Sequence, residues 1–81
     1  MQTTFSRKPA VKHRLGDISD STLYSWIRSG LMVSGIPVGP NTVVWSDEEI
    51  NAVLAARLAG KSDDQVRSLV AALEDGRKAV A

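Results

Sequence analysis

Apolar residues recur at helical spacing in one short stretch near the beginning of the chain. Projected at about 100° per residue, three of them share one face: Leu23, Trp26 and Ile27. Ser19 is typical of a helix N-cap, because its hydroxyl can accept a hydrogen bond from an unpaired backbone N–H, and Gly30 is typical of the residue that follows a helix. The pattern predicts a short amphipathic helix over residues 20–29.

The opposite face of this helix carries small hydrogen-bonding side chains and one cation: Ser21, Ser25 and Arg28, with Asp20 and Tyr24 on its flank. Small side chains permit close approach to a DNA major groove, where polar groups meet base edges or phosphates. The same pattern fits a capped helix on the surface of a small α domain. Both interpretations stay open for this stretch taken alone.

A second, shorter helix is predicted in front of the first. Residues 1–8 are polar and predict a flexible basic N-terminal arm. Pro9 suits the first turn of a helix, where its missing N–H goes unused, so a helix is expected over residues 9–15 with Ala10 among its inward positions. A tight turn at residues 16–18 then leads into the helix over 20–29. Helix, short glycine-containing turn and helix form the helix-turn-helix layout.

The segment after Gly30 is rich in β-branched residues and turn formers. It predicts a hairpin over residues 36–45 with its turn at 39–42. A hairpin placed directly after a recognition helix is a wing, and its tip presents backbone N–H groups and short side chains to a DNA backbone. It can equally be a two-stranded cap over the core, with Trp45 filling space, and the two interpretations are compatible.

Two further helices are predicted, over residues 47–59 and 63–78. Each follows a capping box, in which a hydroxyl residue precedes an acid or amide by three positions: Ser46 with Glu49, and Ser62 with Gln65. The first helix has an apolar stripe that reaches Leu58. The second has a narrow stripe over 66–73 that can dock on its own domain or pair with another subunit. Docking within the chain is favoured, because the core is small.

Composition excludes several classes of protein. The 81 residues are enough for one domain, expected over 9–78, and without cysteine there is no disulfide or thiolate site. No apolar run approaches the ~20 residues of a membrane span, so no membrane partner and a cytoplasmic location are expected. With one histidine and no glycine-rich phosphate loop, no catalytic triad or metal cluster can be assembled. No enzyme activity, cofactor or metal is therefore expected.

Charge is distributed unevenly although the net charge is only +1. Residues 1–40 carry five Lys and Arg against two Asp, and residues 41–81 carry five against seven acids. This asymmetry indicates that one face meets a polyanion.

Three stretches resemble one family: GDISDSTLYSWIRSGL (16–31), VGPNTVVWSDEEI (38–50) and LAGKSDDQVRSLV (58–70). They resemble the AlpA/excisionase branch of the MerR-like winged-helix proteins, small DNA binders of phages and integrated elements. The resemblance covers most of residues 10–75. It implies a mainly α fold with a small β-hairpin: two helix-turn-helix helices, a wing and two further helices. By this resemblance the helix over 20–29 enters the major groove, and the hairpin tip meets the adjacent backbone or minor groove.

The resemblance also assigns individual positions. Ser19, Ser21, Thr22 and Tyr24 match the family motif, and Arg28 lies where the family has a basic group. Relatives commonly have arginine where Asp20 and Ser25 stand, and a basic wing tip in place of Asn41 and Thr42; each lost cation removes one phosphate contact. The N-terminal cations compensate in this interpretation. The residues predicted to contact DNA are Arg7, Lys8, Lys12, Arg14, Ser19, Ser21, Thr22, Tyr24, Ser25, Arg28, Asn41 and Thr42.

Three functions follow as hypotheses. The first is a sequence-specific double-stranded DNA-binding protein on the nucleoid, either an excisionase (recombination directionality factor) or an AlpA-like transcriptional regulator. Its partners would be DNA, further copies of itself, and an integrase or other phage protein. The second is the DNA-recognition subunit of phage packaging, similar to a small terminase, which needs the 66–73 stripe for oligomerisation. The third is a protein-interaction module that has lost DNA binding.

Overall fold

Four helices and a small three-stranded antiparallel sheet make up the protein. The structure is a computed structural model, and it describes residues 4–77. In chain order the elements are β1 (Phe5–Ser6), α1 (Lys8–Arg14), α2 (Asp20–Arg28), β2 (Ile36–Gly39), β3 (Thr42–Ser46), α3 (Asp47–Leu58) and α4 (Asp63–Gly76). The mainly helical class, the four helices and the hairpin predicted from the sequence are confirmed.

The turn between α1 and α2 depends on backbone that glycine and aspartate adopt readily. Gly16 has φ 100° and Asp17 has φ 59°, both in the left-handed region. The Oγ of Ser19 accepts a hydrogen bond from the backbone N–H of Thr22 at 3.2 Å, which caps α2. At the other end Gly30, with φ 77°, ends the helix as predicted.

The core gathers apolar side chains from every helix, from β3 and from the segment after α2. Its buried members are Val11, Leu23, Met32, Val33, Trp45, Ile50, Val53, Val66 and Val70. Trp45 is the largest of them, and its indole Nε1 donates to the carbonyl of Val33 at 3.1 Å. This hydrogen bond satisfies the polar atom of the ring, so the side chain can be buried without an unpaired donor. Leu31–Val33, a β-prone run in the sequence, forms no strand.

The sheet has the order β1-β3-β2, with β3 in the middle. Strand β1 was not predicted: Phe5 pairs with Ser46 and Ser6 with Trp45. Residues 5–8 therefore differ from the flexible arm expected from the sequence, because their backbone is paired with β3 or begins α1. Residues 1–3 of that expected arm lie outside the described part of the chain.

Three details of the predicted helices are corrected. Ala10 is exposed, not inward. Leu58 is 91% exposed, because the last turn of α3 extends past the core. At the start of α3, Ser46 accepts from the N–H of Glu49 at 3.4 Å, but the Glu49 carboxylate bonds to the guanidinium of Arg77, a stronger charge-assisted partner than a backbone N–H. The capping box at Ser62 and Gln65 is complete.

Helix α4 docks on its own chain, as favoured from the sequence. Val66 and Val70 of its stripe are 0% and 4% exposed. Polar contacts fix the far end: the Glu74 carboxylate accepts from the backbone N–H of Ser34 at 2.8 Å, and Arg77 donates to the Ser34 carbonyl at 2.9 Å. The two valines of the 66–73 stripe are therefore used within the chain, while Leu69 and Leu73 of the same stripe stay partly exposed.

Gly35 provides a test of the packing around Trp45. A Cβ at this position would overlap the side chain of Val43 and lie 3.0 Å from the Trp45 ring. We expect Gly35→Ala to lower the free energy of unfolding by about 1–3 kcal/mol in urea denaturation. Gly39→Ala is the control, because its Cβ would lie 3.7 Å from Thr42, and it should change stability by less than about 0.5 kcal/mol. Equal losses in both variants would contradict this packing.

Asp47 provides a test of how the N-terminal segment is attached. Its carboxylate accepts hydrogen bonds from Ser6 and Thr4 at 2.6 Å each and lies 3.1 Å from Arg14; the two hydroxyls chiefly, and then Arg14, hold the pKa of Asp47 below its usual range. A lowered folded pKa stabilises the protein above the unfolded value of about 3.9, and this stabilisation is lost as the pH falls through the folded pKa.

We therefore expect Asp47→Asn to be less stable than wild type at pH 7, with the difference shrinking below about pH 4. Denaturant unfolding at a series of pH values measures it. Glu48→Gln is the control, since this neighbouring acid is exposed and makes no such contacts within residues 4–77. A difference that does not change with pH would mean that Asp47 acts through packing and not through its charge.

Candidate nucleic-acid interface

A groove of about 230 Å³ lies where the start of α1, the middle of α2 and the turn of the β2–β3 hairpin meet. We call it the α2–hairpin groove. It is lined by Arg7, Lys8, Pro9, Tyr24, Asn41, Thr42, Val43 and Trp45. Five of the residues predicted to contact DNA, from three separate segments, are thus brought together: Arg7, Lys8, Tyr24, Asn41 and Thr42.

Helix α2 presents the polar face that its sequence predicts. Leu23 is fully buried, and Ser21, Ser25 and Arg28 are exposed on the helix. The hydroxyl of Ser19 is committed to the cap and also lies 3.0 Å from the hydroxyl of Thr22. Ser19 and Thr22 therefore shape the beginning of α2. The Ser21 hydroxyl, although exposed, also lies 3.2 Å from that of Ser19. Ser25 and Arg28 are exposed and make no side-chain hydrogen bond within residues 4–77.

The predicted cations differ in what they contact. Within residues 4–77, Arg7 and Arg28 are exposed and form no ion pair. Arg14 instead lies 3.1 Å from Asp47 and bonds to the side-chain amide oxygen of Asn51. Its guanidinium connects α1 to α3, so a DNA phosphate that binds Arg14 would have to compete with Asp47 for it.

Lys8 and Lys12 share one carboxylate. The Nζ of Lys8 lies 3.0 Å from Asp20, and the Nζ of Lys12 lies 2.6 Å from it. We call these three residues the Asp20 cluster. Hydrogen bonds from Lys12 and then Lys8 hold the pKa of Asp20 below its usual range, and the bond to Asp20 raises the pKa of Lys8. The Lys8 ammonium also lies 5.6 Å from the centre of the Tyr24 ring, within cation–π range.

Sequence reasoning missed the Asp20 cluster, although the signal was present. Lys8 and Lys12 are four positions apart on one helix, so they share a face, and Asp20 lies at the first position of the next helix. The missing information was the angle between α1 and α2, which decides whether that face meets the start of α2.

Neither a cluster of metal-ligating side chains nor a helix that could span a membrane occurs among the described residues. Within residues 4–77 no group of three metal-ligating side chains comes together. None of the helices in that part of the chain is long and apolar enough to cross a membrane.

One curated protein is clearly similar to this chain. The uncharacterized protein ORF88 of Enterobacteria phage P4 is 38% identical over 60 residues, which cover 74% of this chain and 67% of that protein. The chain belongs to the family of this phage protein. No defined protein-family profile and no solved structure matches the chain. The family shown in this way is that of the phage P4 protein.

The cap of α2 gives a test of how the exposed face is held. Ser19→Ala removes the acceptor for the Thr22 N–H, and we expect it to lower the free energy of unfolding by about 1 kcal/mol. Ser25→Ala is the matched control, because Ser25 is exposed in the middle of the helix and alanine has the higher helix propensity. Urea denaturation followed by circular dichroism measures both. A loss for Ser25→Ala as large as that for Ser19→Ala would contradict the assigned cap.

Proposed function

We propose that this protein binds double-stranded DNA sequence-specifically and is a regulator of phage or mobile-element type. In this proposal it is a winged helix-turn-helix protein similar to the AlpA/excisionase branch. Helix α2 enters the major groove, and the β2–β3 hairpin, as the wing, meets the adjacent backbone or minor groove. The observation that supports the proposal is the α2–hairpin groove, which brings Tyr24 of α2 together with the hairpin turn at Asn41 and Thr42 and with the cations Arg7 and Lys8.

The exposed side chains of α2 and of the α2–hairpin groove suit the contacts that DNA offers. Ser21 and Ser25 are short enough for α2 to approach the floor of a major groove, and their hydroxyls can pair with base edges. The exposed Arg28 offers a planar fork of donors that matches guanine or a phosphate. Arg7, at the rim of the α2–hairpin groove, is positioned to neutralise a phosphate.

The number of free cations sets the expected strength of binding. Arg7 and Arg28 are unpaired within residues 4–77, and the Asp20 cluster adds a net charge of one. DNA affinity depends steeply on how many phosphates are neutralised, so a single copy should bind modestly. Cooperative binding of several copies at neighbouring sites would compensate, and this fits an excisionase or a regulator equally well.

The two alternative functions differ in the structural observations that favour them. The packaging hypothesis needs the 66–73 stripe for oligomerisation, and it is less favoured because Val66 and Val70 of that stripe are buried in the chain's own core. A protein-interaction module is favoured by one observation: carboxylates pair Lys8, Lys12 and Arg14, which weakens the attraction of this face for phosphate. The DNA-binding proposal is preferred because the groove and the exposed Arg28 remain available.

Single-alanine variants test the proposed surface. We expect Arg28→Ala to weaken binding to a site selected from random duplexes by about 5- to 100-fold, with a smaller effect on unrelated DNA. Arg7→Ala should weaken binding to all sequences and reduce the slope of log K against log salt by about 0.9. Fluorescence anisotropy over a salt series measures both quantities.

Lys61→Ala is the matched control. Lys61 is an exposed cation outside the α2–hairpin groove, with no ion pair in residues 4–77, and its loss should leave affinity within about twofold. If wild type fails to bind any duplex at low salt, DNA binding is refuted and the protein-interaction function takes its place.

A further inference from the structure

The Asp20 cluster joins the two helices that carry the proposed DNA surface. Asp20 lies at the first position of α2, and one of its oxygens is 2.6 Å from Lys12 while the other is 3.0 Å from Lys8. Both carboxylate oxygens of Asp20 thus contact lysine side chains of α1. The side chain of Asp20 remains half exposed, so solvent and ligands can reach the cluster.

This geometry makes a carboxylate compete with any anion that approaches the start of α2. A phosphate that binds Lys8 or Lys12 must share the ammonium with Asp20 or displace it. Displacement leaves the Asp20 charge unpaired beside a polyanion, which is unfavourable. The two lysines and the aspartate consequently act on DNA as a single positive charge and not as two.

We propose that Asp20 is an internal competitor of DNA phosphate, which lowers sequence-independent binding so that recognition depends on α2 and the hairpin. This inference rests on the proposed function. Asp20 acts through Lys8 and Lys12, and its role is to position them away from phosphate. Removing its charge should raise affinity for every sequence and reduce the ratio between specific and non-specific binding, because the added phosphate contact carries no sequence information.

The chain offers a matched control three positions earlier. Asp17 is exposed, and its carboxylate contacts His13 at 2.7 Å and neither lysine. Its φ of 59° is one that asparagine adopts readily, so Asp17→Asn should fold normally. Asp17→Asn and Asp20→Asn change the net charge equally and at nearly the same place. Only Asp20→Asn releases the lysines.

The first experiment measures binding to a mixed-sequence duplex over a salt series. We expect Asp20→Asn to bind about tenfold more tightly than wild type at low salt, with a slope of log K against log salt steeper by about 0.9. The affinity of Asp17→Asn should stay within about threefold of wild type. Asp20→Glu keeps the charge and should retain the wild-type affinity and salt slope. In a Lys8→Gln/Lys12→Gln background, Asp20→Asn should have no more effect than Asp17→Asn.

The second experiment uses a heparin column, which presents a polyanion without bases. Asp20→Asn should elute at higher salt than wild type and Asp17→Asn. Circular dichroism checks that each variant is folded, and Asp20→Ser replaces Asp20→Asn if asparagine disturbs the helix.

The outcomes separate this inference from the function it rests on. Equal behaviour of Asp20→Asn and Asp17→Asn on heparin and on DNA overturns the competitor role while leaving DNA binding intact. A difference on heparin with no binding of any variant to duplex DNA supports competition for anions and refutes the DNA-binding function. No retention on heparin and no duplex binding by any variant overturns both.

Discussion

Burial of the Trp45 ring is the constraint on which the fold depends. Trp45 lies on β3, the central strand, which pairs with β1 on one side and β2 on the other and continues directly into α3. A chain of this length buries a smaller share of its surface than a larger domain, so one large side chain contributes much of the available apolar burial. The hydrogen bond from its indole to Val33 fixes the segment that leaves α2, and thereby the placement of the hairpin relative to that helix.

Polar contacts add to the apolar packing that holds α4 on this small core. Helix α4 covers the core with two buried valines, and its end is fixed by the pairing of Arg77 with Glu49 and with the Ser34 carbonyl. A bidentate, charge-assisted pair at a partly buried site is stronger than an ordinary surface ion pair. These contacts attach α4 to its own chain at both its buried valines and its C-terminal end.

Pairing of charges, more than their number, characterises the proposed DNA surface. The N-terminal half is basic by composition, yet Lys8 and Lys12 share Asp20, and Arg14 is bonded to Asp47. Arg7 and Arg28 are the cations of the predicted set that stay unpaired within residues 4–77. In the proposed function, such a surface would attract DNA weakly at long range and would gain its selectivity from short-range contacts by α2 and the hairpin.

The sequence by itself determined the helices, the hairpin, both ends of α2 to within one residue and the start of α4, because caps, glycines and apolar spacing act over a few residues. It also placed the polar face of α2, since that face is the complement of Leu23, Trp26 and Ile27. Only the tertiary structure decided that Phe5–Ser6 joins the sheet, that Glu49 pairs with Arg77, and that Lys8, Lys12 and Arg14 meet carboxylates. These contacts join residues from different elements, and their partners depend on angles between elements that local spacing does not encode.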